Sequence, residues 1–262
     1  LKNVIRDGEE DTLGHRFEGV QIKETLEAAA EVSGYGKPKE PSTGRGIAIG
    51  DRPPGGGESH AAVTLRPDGS VILSTPIFEQ GTGSYTLQAQ VVAEELGLAP
   101  DRVELEIWKT GNVTFDSGVG GSRVTRIGTQ VAYAACQEVK MQLLELSAEL
   151  LEISSDRLSF DDGVIRNHAT RGIHRWQDLL NKGGRLITGQ ATIQDTSVAN
   201  VTAYVAQVAE VSIDKETGEV TLVRLTTAHD VGTIVNPVGH QGQINGGAIQ
   251  GVGYALMEEL QV

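Results

Sequence analysis

The stretch from residue 228 to residue 260 constrains the fold more than any other part of the chain, because a helix start coincides there with repeated glycine. Asn236 and Pro237 predict the first helical turn, since Asn caps free backbone N–H groups and Pro already has the backbone angle of the first helical position. Apolar residues then follow at helical spacing: Ile249, Val252, Leu256 and Leu260.

The same predicted helix carries a second stripe with almost no side chain, formed by Gly247, Gly251 and Ala255. Each glycine inside a helix costs about 1 kcal/mol relative to alanine, so the stripe needs a compensating interaction. Two explanations are open at this point. The backbone packs closely against another element, or a bulky ligand lies on the bare face, where Gln243 or Gln250 reaches it.

The composition excludes several classes of protein. Glycine accounts for 33 of the 262 residues, in clusters without a period, which excludes collagen and low-complexity sequence. No run of about eighteen apolar residues exists, so no membrane-spanning helix is expected. No basic-then-apolar leader opens the chain. A single cysteine, Cys136, excludes an internal disulfide and an iron–sulfur cluster held by this chain alone. The expected compartment is the cytoplasm.

The net charge of −13 bears on the kind of ligand. It argues against nucleic acid, because nucleic-acid binding needs a surplus of Lys and Arg to neutralise phosphates. An acidic protein can still hold an anionic ligand if backbone N–H groups and helix N-termini provide the contacts.

Hairpins and helices without a regular βαβ alternation predict an α+β fold, with mixed sheets and hairpins packed against long helices. Predicted helices cover residues 18–33, 84–96, 123–153 and 173–181, and a last one begins at 236. Predicted strands cover 46–50, 60–65, 71–74, 102–108, 185–194, 203–213 and 219–228, with a small hairpin at 158–165. A lead-in segment and linker, 1–43, precedes a region 44–262 that divides into subdomains 44–155 and 156–262.

Two further glycine clusters share the design of the last helix. One is the stretch Glu79–Tyr85, between a strand that ends near Phe78 and a helix that begins at Ser84, and the other is Gly118–Arg123, just before the long helix. Each places small residues where free N–H groups and the positive end of the helix dipole collect anions. A tight turn would explain any single cluster, but three in one chain indicate a shared polyanionic ligand. They match neither the phosphate loop nor the dinucleotide fingerprint.

Several short motifs, in this order, resemble the molybdenum-cofactor-binding large subunit of the xanthine dehydrogenase, aldehyde oxidase and aerobic carbon monoxide dehydrogenase family. They are EQGTGS (79–84), AEELG (93–97), GSR (121–123), DVG (230–232), NP (236–237), GQ (242–243) and QGVGYALMEE (250–259). The resemblance extends from about residue 44 to residue 260.

The resemblance implies a molybdenum hydroxylase, which oxidises a C–H bond of an aldehyde or N-heterocycle, or carbon monoxide, with oxygen taken from water. The implied cofactor is molybdopterin with molybdenum, in its cytosine dinucleotide form. Electrons would leave through iron–sulfur clusters and FAD on partner chains. The implied partners are the remainder of the molybdenum subunit, an iron–sulfur subunit, a flavin subunit in some members and a small-molecule substrate, in a dimer of heteromers.

The family's roles carry over to individual positions of this chain. Gln80–Gly83 resembles the loop beside the dithiolene and pterin, Gly121–Val124 the run whose backbone holds the pterin, and Gln243 a glutamine bonded to the cofactor. Ser84 and Thr86 would suit a diphosphate. Arg123 has two open roles, contact with an anionic group of the cofactor or pairing with a local carboxylate. The expected cofactor-binding residues are Gln80, Gly81, Thr82, Gly83, Ser84, Thr86, Gly121, Ser122, Arg123, Val124 and Gln243.

The chain departs from the family pattern in two respects. Thr82 stands where the family often has glutamine, so that contact would pass to Gln80 or to a water molecule. The family's catalytic glutamate belongs to a Val-Gly-Glu type motif beyond the helix that ends near Glu258 and Glu259. No residue of this chain is therefore expected to be catalytic or to bind metal directly, and the isolated chain is expected to be inactive.

Two alternatives have other functions. The chain could be a non-catalytic fragment or split subunit of this fold that serves assembly and partner binding. A hydrolase using Ser84 or Ser122 is disfavoured, because the sequence has no Gly-x-Ser-x-Gly elbow.

Overall fold

The computed structural model describes residues 1–112, 115–195 and 202–261. These residues form two compact units. The first unit consists of Leu1–Pro54 and Val198–Val262, and the second unit of Gly55–Ser197. Residues 113 and 114, which precede the second glycine cluster, lie outside the described residues.

The chain contains both long helices and short strands. The helices are α1 (Ile22–Ser33), α2 (Ser84–Leu96), α3 (Thr129–Leu151), α4 (Trp176–Gly183) and α5 (Pro237–Leu256). The strands are β1 (Thr43–Arg52), β2 (Gly57–Leu65), β3 (Val71–Thr75), β4 (Val103–Ile107), β5 (Leu158–Asp161), β6 (Val164–Asn167), β7 (Ile173–Arg175), β8 (Ile187–Asp195), β9 (Ala203–Ile213) and β10 (Val220–Asp230). A π-helical turn, Val124–Gly128, leads directly into α3.

The second unit is built on a four-stranded sheet in the order β4-β3-β2-β8. β2 pairs antiparallel with β3 and β8, whereas β3 pairs parallel with β4, and α2 makes the connection between those two parallel strands. All five residues of β3 are buried. Apolar residues of the sheet pack with α2, α3 and α4 in one core, which includes Leu65, Leu73, Val92, Leu96, Val131, Val139, Leu143, Trp176 and Ile187. A small antiparallel sheet, β5-β6-β7, belongs to the same unit.

The first unit contains a three-stranded antiparallel sheet in the order β1-β9-β10. α1 packs on this sheet through a small core of Ala29, Ala206 and Val208. α5 follows β10, and the side chain of Asn236 accepts a hydrogen bond from the N–H of Gly239 at its first turn. None of the described helices is long and apolar enough to cross a lipid bilayer.

The α+β prediction is confirmed, and α2 has the predicted bounds. Three local predictions need correction. The parallel pair of β3 and β4 contradicts the expected absence of a βαβ unit. The long helix begins with the π-helical turn, and the segment predicted as one helix at 173–181 is split into β7 and α4.

The structure also differs from the predicted domain division. β9 pairs with β1 along the whole of β1, from Thr43 to Arg52, and this pairing ties the end of the lead-in region to the C-terminal part of the chain. In the order of the sequence, the second unit is therefore inserted between the two segments of the first, and it ends at Ser197 rather than near residue 155.

The glycine face of α5 is open within the described residues. No residue of α5 is buried, and no heavy atom lies within 4 Å of a Cβ built on Gly247 or Gly251. The predicted apolar face is open as well, with Ile249 68% and Leu256 45% exposed. Close packing of the glycine backbone against another element is therefore not what the described part of the chain shows.

One glycine marks where the sheet of the second unit touches a helix backbone. A Cβ on Gly189 in β8 would lie 2.4 Å from the carbonyl oxygen of Ala135 and 2.7 Å from the amide nitrogen of Val139 in α3. Both neighbours are backbone atoms, which cannot move aside without displacing the helix. Glycine at this position therefore sets the distance between α3 and the sheet.

The substitution Gly189→Ala should lower the free energy of unfolding by roughly 1–3 kcal/mol, the usual cost of an overpacked core. Urea unfolding followed by circular dichroism measures it. Gly46→Ala is the matched control, because Gly46 lies in β1 with no heavy atom within 4 Å of its Cβ position. That control should change the free energy by less than about 0.5 kcal/mol. Equal effects of the two variants would contradict the close approach of β8 and α3.

Candidate functional site

The N-terminal ends of the two long helices of the second unit lie side by side. A Cβ on Gly128, just before α3, would lie 2.9 Å from Cδ1 of Ile77 and 3.8 Å from Cδ of Gln88 in the second turn of α2. Further along both helices, Gln137 donates a hydrogen bond to Glu95 at 2.7 Å. α2 and α3 therefore run in the same direction, and their positive dipole ends are at the same end of the unit.

This arrangement brings together two of the three glycine clusters predicted from the sequence. The loop Gln80–Gly83 leads into α2, and the run Gly121–Val124 leads into α3. The third predicted position, Gln243, is exposed on α5 and belongs to the first unit.

The first loop turns through two glycines in the left-handed region, Gly81 at φ +84° and Gly83 at φ +81°. Gln80, Gly81 and Thr82 are exposed, as is Thr86 in the first turn of α2. Ser84 is buried.

The carboxylate of Glu79 gathers the polar groups of this loop around itself. Oε1 accepts hydrogen bonds from the N–H groups of Gln80 (2.9 Å), Thr82 (2.7 Å) and Gly83 (3.0 Å). Oε2 accepts from the hydroxyl of Ser84 (3.1 Å) and from the N–H of Tyr85 (3.3 Å). The hydroxyl predicted to meet a diphosphate is thus engaged inside the protein.

The electrostatics of Glu79 follow from these contacts. Burial of the carboxylate raises its pKa. The N–H groups of Tyr85, Gly83 and Thr82 and the hydroxyl of Ser84 lower the pKa, and together they outweigh the effect of burial. The pKa of Glu79 falls from 4.5 to about 2. The start of α2 therefore carries a permanent negative charge of the protein's own.

The second loop, residues 116–123, is bonded to the segment that opens β2. Gly55 donates its N–H to the carbonyl of Gly121 at 2.7 Å. Ser117 donates its N–H to the carbonyl of Glu58 at 3.0 Å, and its hydroxyl accepts from the N–H of Glu58 at 2.9 Å. Reciprocal backbone contacts of this kind fix the loop against the sheet.

Arg123 is the central side chain of this second loop and is only 2% exposed. Its Nε donates to the carbonyl of Gly56 at 2.7 Å, and its Nη2 donates to the carbonyl of Glu58 at 2.9 Å. Its Nη1 donates to the carbonyl of Gly118 and lies 3.8 Å from the carboxylate of Asp116. Burial lowers the pKa of the guanidinium, and the charge of Asp116 acts in the opposite direction. Of the two roles open for Arg123, the structure shows the local one.

The outer surface of the second loop is bare backbone. No heavy atom lies within 4 Å of a Cβ built on Gly118 or Gly120. Ser122 is exposed and adopts a left-handed conformation, with φ +57°, which is unusual for a residue with a side chain. Val124, the last residue of the predicted run, is buried in the π-helical turn.

Sequence reasoning missed three contributors to this site. They are Glu79, which holds the first loop, Asp116, which bonds the Gly118 N–H at 2.6 Å and the Ser59 hydroxyl at 2.8 Å, and the glycine run Gly55–Gly57. The glycine run was visible as a signal in the sequence, since consecutive glycines indicate a close backbone approach. Glu79 begins the motif EQGTGS, and Asp116 fits the pattern of an acid that caps a turn, as its hydrogen bond with the Gly118 N–H shows. Neither acid was assigned to the site, because only the folded loops show which donors point at them.

The arrangement fits a large, flat ligand with many hydrogen-bonding groups. The loops present exposed backbone and small side chains at two adjacent helix starts, and no side chain fills the space above Gly81, Gly118 or Gly120. The described residues around the loops offer many hydrogen-bond donors and acceptors. They also include His60, whose Nε2 lies 3.0 Å from the carboxylate of Glu58 and 2.9 Å from the carbonyl of Phe115 beside the second loop. Such a surface can bind and orient a ligand.

Comparison with known proteins identifies the class of ligand. The sequence model of the molybdopterin cofactor-binding domain family matches residues 20–262. The aldehyde oxidoreductase molybdenum-binding subunit PaoC of Escherichia coli O157:H7 is 31% identical over 262 residues, which cover 94% of this chain and 34% of that protein. The carbon monoxide dehydrogenase large chain of Hydrogenophaga pseudoflava is 26% identical over 205 residues, which cover 76% of this chain and 26% of that protein. The chain thus spans about a third of the length of the curated relatives it matches.

Solved structures show the same fold. Quinoline 2-oxidoreductase from Pseudomonas putida 86 superimposes with a TM-score of 0.80 at 24% identity, covering 97% of this chain and 36% of that one. Carbon monoxide dehydrogenase from Oligotropha carboxidovorans superimposes with a TM-score of 0.77 at 22% identity, covering 90% of this chain and 34% of that one.

The match over residues 20–262, together with a fold shared with these structures, shows that the chain belongs to the molybdopterin cofactor-binding domain family of the oxidoreductases related to xanthine dehydrogenase, aldehyde oxidoreductase and carbon monoxide dehydrogenase.

Proposed function

We propose that this chain is the part of a molybdenum-binding subunit that holds molybdopterin with its molybdenum, in an enzyme that oxidises a small molecule. The observation that carries this proposal is the pair of glycine loops at adjacent helix starts, within a chain that belongs to the molybdopterin-binding family. When bound, the molybdenum–pterin group supplies a redox centre that accepts two electrons from the substrate.

The chain's own residues bind and orient that group. The exposed Gln80 offers an amide from the first loop. The hydroxyl of Thr82 donates to Glu79 at 3.3 Å and can still accept a hydrogen bond. Gly121 and Ser122 offer backbone N–H groups and a hydroxyl from the second loop. Gln243 on α5 belongs to the first unit, and its role as a cofactor-binding amide is proposed from the family resemblance alone. Uncharged donors of this type suit the ring nitrogens and carbonyl of a pterin, which form directional hydrogen bonds.

The bare backbone of the loops matters because the protein is acidic. With a net charge of −13, the chain has no surplus of cationic side chains with which to surround an anionic cofactor. Oriented N–H groups of the second loop can supply partial positive charge without that surplus, whereas the N–H groups at the start of α2 are bonded to Glu79. We assign the cytosine dinucleotide form of the cofactor to this chain, as its family resemblance implies. Of the two hydroxyls predicted for its diphosphate, only Thr86 is exposed.

Partner chains complete the proposed enzyme. Relatives of this chain are named as a molybdenum-binding subunit and as a large chain, which are names for parts of assemblies. We propose that the remainder of the molybdenum subunit, an iron–sulfur subunit and, in some assemblies, an FAD-containing subunit join this chain in a dimer of heteromers. The substrate would be an aldehyde, an N-heterocycle or carbon monoxide, oxidised with oxygen from water in the cytoplasm.

Cofactor content tests the role of the second loop. The substitution Gly120→Val adds bulk where the protein itself leaves space, since no heavy atom lies within 4 Å of that Cβ position and φ is not in the left-handed region. Folding stability should change by less than about 0.5 kcal/mol. Molybdenum by mass spectrometry and pterin by fluorescence after oxidation should fall about tenfold per chain, which corresponds to a loss of about 1.4 kcal/mol.

Gly36→Val is the matched control, because Gly36 is exposed in a loop of the first unit and its Cβ position is also open. This variant should retain the wild-type molybdenum and pterin content. If wild-type protein from a host that makes the cofactor contains neither molybdenum nor pterin, the proposed function is wrong and a role in assembly without cofactor is favoured. Full loading of Gly120→Val would remove the second loop from the site.

A second prediction concerns the 262-residue chain purified alone. It should not reduce an artificial electron-accepting dye with xanthine, an aldehyde or carbon monoxide. The chain spans about a third of its relatives' length, and the Val-Gly-Glu type motif that carries the family's catalytic glutamate has no match in it. Activity assays with each substrate check this. Measurable turnover that is lost when the cofactor is removed would show that the chain carries catalytic groups of its own.

A further inference from the structure

We propose that Glu79 is a positioning residue of the first glycine loop: its carboxylate holds the start of α2 and thereby sets the conformation in which Gln80 and Thr82 face the cofactor. This inference rests on the proposed function and deepens it. Glu79 does not contact the cofactor in this proposal, and it acts through the loop that it holds.

The geometry supports a holding role, because one side chain satisfies most of the loop. Glu79 accepts from the N–H groups of Gln80, Thr82, Gly83 and Tyr85, all at 2.7–3.3 Å. The hydroxyls of Ser84 at 3.1 Å and Thr82 at 3.3 Å bring the number of hydrogen bonds to six. Hydrogen bonds to an ionised carboxylate are stronger than those between neutral groups, so this set outweighs ordinary loop contacts.

The loop needs such an anchor, because little else constrains it. Gly81 and Gly83 both adopt left-handed backbone, and glycine loses more conformational freedom on ordering than any other residue. The Cβ position of Gly81 has no heavy atom within 4 Å, so packing does not hold the loop at that point. Removing the carboxylate would release the residues that carry the exposed amide and hydroxyl.

The charge of Glu79 also affects where anionic groups can bind. A carboxylate at the start of α2 takes the position in which a phosphate would otherwise lie, and it repels a second anion. The first loop is therefore suited to the uncharged, hydrogen-bonding part of the cofactor. If Glu79 were instead a plug that the diphosphate displaces, removing its charge would strengthen binding. The two roles thus predict changes of opposite sign.

The test uses this chain with the substitution Glu79→Gln, produced in a host that makes the cofactor. Glutamine is of similar size, but it lacks the charge and turns an NH₂ group toward the loop's N–H donors. Molybdenum and pterin per chain should fall at least about tenfold relative to wild type, the factor that corresponds to one lost charge-assisted hydrogen bond. Glu79→Asp, which keeps the charge on a shorter side chain, should retain more cofactor than Glu79→Gln. Glu94→Gln is the matched control, since Glu94 is exposed on the same helix, and it should load normally.

Hydrogen exchange distinguishes positioning from a general loss of stability. In Glu79→Gln the four amides that donate to the carboxylate, Gln80, Thr82, Gly83 and Tyr85, should exchange at least about tenfold faster, because each loses its hydrogen bond to a charged acceptor. Protection of α3 should stay at the wild-type level. In the wild type, the pKa of Glu79 is lowered from 4.5 to about 2. The carboxylate is therefore ionised throughout the physiological pH range and loses its hydrogen bonds only as the pH falls through about 2. Protection of these four amides by Glu79 should therefore be constant between about pH 5 and pH 8.

The outcomes separate this inference from the proposed function. Wild-type protein without molybdenum or pterin would refute the proposed function itself. Loaded wild type together with equally loaded Glu79→Gln would refute the positioning role alone. A gain of cofactor in Glu79→Gln would show the displaced plug instead. Unchanged exchange at Gln80, Thr82, Gly83 and Tyr85 would show that the carboxylate does not hold the loop.

Discussion

The parallel packing of α2 and α3 on one sheet is the constraint on which the candidate site depends. Gly128 lies close to Ile77 and Gln88, which places the starts of the two helices together. The close approach of α3 to β8 at Gly189 sets the distance between α3 and the sheet. Two loops that are separated by nearly forty residues in sequence thus open at the same end of the second unit. Helix dipoles that point the same way reinforce each other at that end.

Each of the two loops is then held by a charged side chain of the chain itself. Glu79 collects N–H donors in the first loop, and Arg123 collects carbonyl acceptors in the second. The negative charge of Glu79 thus accepts from backbone N–H groups, and the positive charge of Arg123 donates to backbone carbonyls. Glycine makes both arrangements possible, because the backbone must turn closely around the buried charge, and a side chain at Gly55, for example, would meet the Gly121 carbonyl at 2.8 Å. What remains exposed is a surface of backbone and small polar side chains.

The sequence predicted those features that depend on local chemistry. The bounds of α2 and the Asn236 cap of α5 follow from capping residues and apolar spacing, and both are confirmed. The parallel pairing of β3 with β4 could not be predicted, because strand pairing depends on which surfaces meet in the folded chain. The roles of Glu79 and Asp116 were hidden for a related reason. An acid next to a glycine loop usually lies in solvent, and only the final turn of the backbone shows whether N–H groups point at it.

The ionisable groups of the second unit whose pKa departs clearly from its ordinary value are each fixed in one charge state. The pKa of Glu79 is about 2, so this carboxylate stays ionised at any physiological pH. Burial, reinforced by Glu95, raises the pKa of the Cys136 thiol to about 12, and a thiol that does not ionise resists oxidation. Arg123 donates hydrogen bonds to three backbone carbonyls and remains a cation. A ligand held by this surface would therefore meet the same charges on Glu79 and Arg123 throughout the physiological pH range.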